Sequence, residues 1–323
     1  MLNGASRTPS RAVPPHVVLP VSGRQRGVAL AVKVITDSSA ALPRKLRRDF
    51  DIGVASLVIH LDGVDYPDDT EDHDTFYAAL KSSSSFATTS QPSAQDFVTL
   101  MEERVAAGHD VVGVFVSPLM SGTMATAALA REMVLETYPD ATIEIVDGRS
   151  NSMELGFAVL AAAESAAAGA TAAEAAAAAT ERTLHTRFLF VPATLEYLRR
   201  GGRIGNASAL IGTLLKINPI LTVAEGITDQ FAKVRTLRRA HNMMVEKFMD
   251  DLRERGGLGD VIVHHIDAEA AGIAFVKRIS DIVGRQVELI PSSLSAGAHV
   301  GPGTVALIYY TIDRMDHTHA LSS

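Results

Sequence analysis

The sequence predicts an α/β protein of two domains, an N-terminal parallel sheet with flanking helices followed by a mixed or antiparallel α+β unit. Strand, crossover helix and strand recur several times before residue 182, a repetition that builds parallel sheets covered on both faces. After that point two short strands flank Glu225-Gly226, a tight-hairpin signal that parallel units do not use. The chain has 323 residues, 47% of them hydrophobic and none of them Trp. That gives an aliphatic, alanine-rich core in a chain long enough to split into two domains.

Val28 to Ile35 is apolar enough for a buried strand, and Thr36-Asp-Ser-Ser39 follows it as a loop. Ala40-Ala-Leu-Pro43 opens a helix to about Phe50, with Pro43 tolerated in its first turn. Ile52 to Leu61 reads as one strand with Asp62-Gly63 as its turn. The acidic run Asp65 to Asp74 lacks the central Gly and closing Glu of a calcium loop. It is expected to be solvated loop. Asp74 then caps a helix from Thr75 to Lys81, and Ser82 to Ser93 is a hydroxyl-rich loop. From Ser93 a helix carries Phe97, Leu100, Met101 and Val105 at helical spacing as far as Gly108. Asp110 to Val116 is an uninterrupted strand, followed by the loop Ser117 to Thr123 and a helix to about Thr137. Thr142 to Val146 is a strand. Two Ala-rich helices follow, Ser152 to Ala168 and Ala172 to His185, the second with a Thr171/Glu174 capping box.

The second domain reads as a strand at Phe188 to Val191, a helix at Thr194 to Arg200 and a short helix at Ala207 to Leu215. Hairpin strands follow at Ile220 to Val223 and Phe231 to Val234, then a helix from Ala240 to Glu254. Asp260 to His265, Gln286 to Ile290 and Thr304 to Tyr310 complete the strands, with a helix over Glu269 to Val283. The expected division is a disordered extension over 1–30, an N-terminal domain over 31–185 and a C-terminal domain over 186–323.

Residues 1–30 carry four arginines and no acidic residue, and they lack the apolar core of a signal peptide. No run reaches the roughly 18 apolar residues of a membrane span. A net charge of -7 argues against non-specific nucleic-acid binding. The absence of Cys excludes disulfides and thiolate catalysis and fits a reducing, cytoplasmic setting. There is no Walker run, dinucleotide fingerprint, nucleophile elbow or zinc helix. No metal or cofactor is implied.

Three hydroxyl-bearing loops fall at strand-to-helix junctions: Thr36-Asp37-Ser38-Ser39, Thr88-Thr89-Ser90-Gln-Pro-Ser93 and Ser117 to Thr123. Ligands of open α/β sheets bind there, beside helix N-termini that favour an anion. Downstream, Tyr197-Leu-Arg-Arg-Gly201-Gly202-Arg203-Ile204 puts an arginine fork after a glycine pair that permits close backbone approach. Each loop taken alone reads equally as a helix cap, and the arginines as a solvated helix end. Ser121 and His299 could form a nucleophile and base, but no orienting acid is evident. Glycines on both sides make His299 a loop histidine, whereas His264 and His265 sit at a strand end and read as structural.

Six motifs in this order resemble the bacterial DegV family of fatty-acid-binding proteins over about Val34 to Tyr310. They are Thr36-Asp-Ser38, Thr89-Ser-Gln-Pro-Ser93, Leu119-Met-Ser-Gly-Thr123, Tyr197 to Ile204, Leu215-Lys-Ile-Asn-Pro-Ile-Leu221 and His299-Val-Gly-Pro-Gly303. Departures are Leu119-Met-Ser121 against the common Ser-x-Leu-Ser-Gly-Thr, Asn218 where Lys-Pro is frequent, and Val300 where Thr often follows the histidine. None removes a residue assigned to the carboxylate.

The resemblance implies one long-chain fatty acid held between the two domains, with no activity of the chain's own. An ATP-binding kinase subunit would phosphorylate the bound acid, and acyl phosphate would pass toward phospholipid synthesis. Thr89 and Ser121 would hold the carboxylate, and Arg203 and His299 would flank the head group where the partner works. Asp37, Ser38, Ser90, Gly122, Thr123, Gly201, Gly202, Gly301 and Gly303 would shape the supporting loops. Candidates for the acyl-tail wall are Phe190, Ile204, Leu210, Ile211, Leu214, Leu215, Ile217 and Ile220. A transient membrane-surface contact would serve lipid exchange. The alternatives are a small-molecule hydrolase and a lipid-responsive regulatory protein using the same pocket.

Overall fold

The computed structural model describes residues 31–211 and 217–315, so the expected extension over 1–30 lies outside the described residues. The first half runs β1 (Val32–Asp37), α1 (Arg44–Asp49), β2 (Gly53–Ala55), β3 (Val58–Leu61), β4 (Val64–Pro67), α2 (His73–Ser82) and β5 (Thr88–Ser90). It continues through α3 (Ala94–Ala106), β6 (Asp110–Phe115), α4 (Thr123–Thr137), β7 (Ile143–Asp147), α5 (Ser152–Ala167) and α6 (Ala172–Thr183). The second half runs β8 (Thr186–Val191), α7 (Glu196–Arg200), β9 (Asn218–Ala224), β10 (Ile227–Val234), α8 (Leu237–Glu254) and β11 (Leu258–Ile266). It ends with α9 (Glu269–Val283), β12 (Glu288–Pro291), α10 (Leu294–Val300) and β13 (Thr304–Thr311).

The architecture is two-domain α/β. Four parallel strands in the order β2-β1-β6-β7 form the first sheet. The second has six strands in the order β10-β9-β8-β13-β11-β12, antiparallel except for the β11/β12 pair. A small antiparallel sheet, β4-β3-β5, stands apart.

Side-chain alternation decides what each face covers. On β8, Phe188 and Phe190 join the core that contains α5, while Leu189 and Val191 join the core under α8 and α9. Helix α5 touches β1 and β6 of one sheet and β8 and β13 of the other. That position explains its composition: a helix clamped between two sheets and α6 is apolar on nearly every side, and alanine lets backbones approach. The opposite face of the four-stranded sheet is closed by Phe97 and Met101 of α3 and by Ala127, Ala130 and Val134 of α4.

Several sequence expectations are corrected. Ile52 to Leu61 is two strands in two sheets, because the chain leaves the parallel sheet after Ala55. The break is fixed where the Leu57 N–H donates to Ser38 Oγ at 2.9 Å and the Leu57 carbonyl accepts from the Asp68 N–H at 2.9 Å. The acidic run is not plain solvated loop: it supplies β4 and the buried Asp68. Helix α2 starts two residues early and is capped by Asp72, whose carboxylate accepts from Thr75 N–H at 3.0 Å. Thr88–Ser90 is an edge strand rather than loop. His299 lies in a helix, α10, which Ser293 caps. Beyond Ile204 the chain forms a 3-10 helix over Gly205–Leu210.

Candidate functional site

A cavity of about 880 Å³, its open mouth included, lies between the two large sheets beyond the N-terminus of α5. Its floor is the inward face of the six-stranded sheet, with Phe188, Phe190, Val223, His264, Ile266 and Ala306. The roof comes from loops that leave the four-stranded sheet, including Ser39, Val116, Met120 and Ser121, and from Asn151 and Ser152 at the start of α5. Leu57 and Thr89 from the small-sheet region, with Ser293, Ser295, Ala296, His299 and Val300 of the α10 segment, close one side.

Two buried carboxylates hold the walls in register. Asp37 accepts from the Ser39 N–H at 3.0 Å, from the Ser39 hydroxyl and from the Val116 N–H at 2.9 Å, tying together the loops that follow β1 and β6. Burial pushes its carboxyl up to about 6 against these hydrogen bonds, which pull the other way. Asp68 accepts from Ser38 Oγ at 2.6 Å, from Ser295 N–H at 2.7 Å and from Ser295 Oγ at 2.9 Å. It therefore joins the first strand's loop to α10, and burial raises its pKa as well. Nothing in the run Asp65 to Asp74 marks Asp68 as the buried member. A weak signal is that it directly follows Tyr66-Pro67, the end of a half-apolar strand.

At the solvent end, Thr89 Oγ1 and His299 Nε2 are 2.8 Å apart. His299 is neutral, since burial and then the Arg203 charge push its pKa down to about 4. Its Nδ1 is buried without a hydrogen-bond partner among the described residues. A buried N–H without an acceptor is rarer and costlier than a bare acceptor, which favours the tautomer protonated on Nε2. In that tautomer the ring donates to Thr89, and the Thr89 O–H is left to donate into the cavity. Gly201 packs directly over Nδ1, where a Cβ would collide with the ring. Arg203 is exposed and donates to the Met120 carbonyl at 3.1 Å and to the Gly201 carbonyl at 2.6 Å. Ser121 Oγ is 2.8 Å from Thr123 Oγ1.

Thr89, Ser121, Arg203, His299 and Phe190 thus all reach the cavity. Of the supporting residues, Gly122 is the N-cap of α4 and Thr123 is buried beneath Ser121. Gly202 adopts a left-handed conformation with open space around it, and Gly301 lies against the Tyr197 ring. The Gly303 N–H donates to the Ile266 carbonyl at 2.8 Å. Ser90 bonds to His60 instead.

The tail candidates fare differently. Ile204, Leu210 and Ile217 pack with the central core, outside the cavity wall. Ile220 faces the opposite side of the sheet, against the α8 core, because strand alternation turns it away from Leu221. Ile211 is 47% exposed, and Leu214 and Leu215 lie outside the described residues. The wall is built instead by Val116, Phe188, Val223 and Ala306, which the sequence marks only as strand residues, and by Ile266, one position beyond the expected Asp260 to His265 strand. Ser121 and His299 do not form a nucleophile and base with each other, each being bonded to a threonine. Among the described residues no three His, Asp or Glu side chains are grouped to hold a metal ion, and no helix is long and apolar enough to cross a membrane.

The family profile described as "Uncharacterised protein, DegV family" matches residues 31–311. The chain belongs to the DegV family. A DegV domain-containing protein of Clostridium acetobutylicum is 41% identical over 290 residues, covering 88% of this chain and 100% of its own. Among solved DegV structures, one reporting fatty acid binding by a Thermus thermophilus family member superposes with a TM-score of 0.79 at 28% identity, covering 88% of this chain and 100% of that one. DegV of Bacillus subtilis, a fatty acid binding protein, gives 0.78 at 27% identity, covering 87% and 99%.

Proposed function

We propose that this chain binds one long-chain fatty acid between its two domains and presents the carboxylate to a partner kinase for phosphorylation to acyl phosphate. The observation that carries the reading is one cavity with an aromatic and aliphatic floor and neutral hydrogen-bond donors at its solvent end. A fatty acid has a single polar group, so most of its affinity must come from apolar burial at about 25 cal/mol per Å². Its carboxylate needs donors that do not leave a buried charge when the site is empty. The Thr89 and Ser121 hydroxyls meet that need, with neutral His299 behind Thr89.

Fatty acid binding in structural relatives supports the ligand class. The kinase step rests on the family resemblance and on Arg203, a cation beside the head-group end that would meet the partner's phosphate. The division into 31–185 and 186–323 is part of the proposal, supported by the two large sheets drawing their strands from either side of residue 185. Mass spectrometry of the purified protein, native and after organic extraction, tests the proposal. One acyl chain per protomer is expected, and it should be lost in a Thr89→Val/Ser121→Ala double variant. A wild-type protein that arrives empty and takes up neither palmitate nor oleate overturns it.

A further inference from the structure

The small sheet assembles a second set of side chains with chemistry of its own. His60 on β3 stands opposite Asp65 on β4, and Ser90 is the last residue of the edge strand β5 on the other side of β3. His60 Nδ1 is 2.6 Å from Asp65 Oδ1, and His60 Nε2 is 2.7 Å from Ser90 Oγ. An acid orients one ring nitrogen while the other contacts a hydroxyl, the arrangement that activates a serine nucleophile. Register fixes it: His60 pairs directly with Asp65, and Ser90 lies on its other side two residues along β5 from its direct partner Thr88, a diagonal same-face neighbour within reach of the ring. His60 and Asp65 keep 37% and 69% of their side-chain surface exposed, so a substrate can approach. The chain leaves β5 directly after Ser90, and the next backbone N–H, that of Gln91, follows beyond the last paired residue.

We propose that Asp65, His60 and Ser90 form a serine esterase site, separate from the cavity, for unhindered carboxylic esters. Ser90 Oγ attacks the ester carbonyl as His60 Nε2 takes its proton, and Asp65 steadies the resulting imidazolium through Nδ1–H. The C–O bond to the leaving alcohol breaks, and that alcohol takes the proton from Nε2. Water then attacks the acyl-serine with His60 again as base, releasing the carboxylic acid and restoring Ser90.

The full-length protein is treated with a fluorophosphonate probe, the modified serine is mapped by mass spectrometry, and p-nitrophenyl acetate hydrolysis is followed in parallel. Modification at Ser90 is expected, with labelling and hydrolysis both falling about a hundredfold in His60→Gln and falling also in Asp65→Asn, at unchanged melting temperature. Because the chain contains no cysteine, Ser90→Cys creates a single thiol. Its alkylation by iodoacetamide should be several-fold faster than in the same variant carrying His60→Gln. Labelling at another serine, labelling indifferent to His60, or equal alkylation rates overturns the proposal.

Discussion

His264 and His299 line the same cavity, and burial pushes both down to about 4, yet their hydrogen bonding differs. His264 sits within β11, its Nδ1 2.8 Å from the Ile290 carbonyl and its Nε2 accepting from the Met153 N–H at 3.3 Å. Both nitrogens are satisfied and the tautomer is fixed by the backbone. His299 has one partner, Thr89, and a second nitrogen with none among the described residues. Desolvation is the largest cause in both rings, joined by the Arg203 charge at His299 and partly offset by the Ile290 carbonyl at His264. What separates scaffold from site is the bonding left incomplete, and a pKa shift by itself would not distinguish them.

The largest expected effect falls on the scaffold histidine. His264→Leu removes the ring's bonds to the Ile290 carbonyl and the Met153 N–H and leaves the latter without its acceptor, so urea unfolding should register a loss of about 1–3 kcal/mol. A loss under about 1 kcal/mol would mean that the two contacts carry no weight.

The next test is pH. Both rings titrate near 6.5 when unfolded and near 4 when folded, so between those values the unfolded chain binds the extra protons. Their share of stability is complete above about 6.5 and is lost as pH falls toward 4. Asp37 and Glu154 oppose this. Burial raises them to about 6 and about 7, so their contribution is complete below 3.8 and 4.5 and is lost as pH rises through the folded values. Melting temperatures of Glu154→Gln should therefore gain on the wild type between pH 4.5 and 7.5. A constant offset across that range would contradict the raised carboxyl.

At the functional histidine the expected effects are smaller and fall on ligand rather than fold. Gly201→Ala should tilt the His299 ring off Thr89 and weaken fatty acid retention by about two- to tenfold, the value of one net hydrogen bond. Thr89→Val should do the same, and the double variant should fall well short of the product of the two. Smallest in retention is Arg203→Ala, with a change under about twofold, while phosphorylation by the proposed kinase partner should be impaired. A variant emptied of ligand by that change would make Arg203 a carboxylate holder.

Most elements were legible in the sequence because their signals are local. Helix α9 was read residue for residue over Glu269–Val283, and the Glu225-Gly226 hairpin was found from its turn pair. The misses have non-local causes. The switch of sheets after Ala55 depends on Ser38 and Asp68, both distant in sequence from the break. Helix α10 is short, contains Gly297 and ends at Gly301, so it carries no periodicity to read. The hydroxyls around Thr89 and the glycines near His299 stood out as composition. The cavity wall did not, since a strand residue facing a cavity and one facing a helix are the same apolar residue until strand order is known. Ile220 and Leu221 differ only in which side of β9 they occupy.

Asp68 holds Ser295 across 227 positions of chain, and Thr89 meets His299 across 210. Neither contact can form until the segment carrying Ser295 and His299 has been made. Contacts of such separation also come late in folding, after the local ones have formed. The cavity side that α10 closes is thus completed only when Leu294–Val300 docks, and a chain lacking that helix would lose both ties at once.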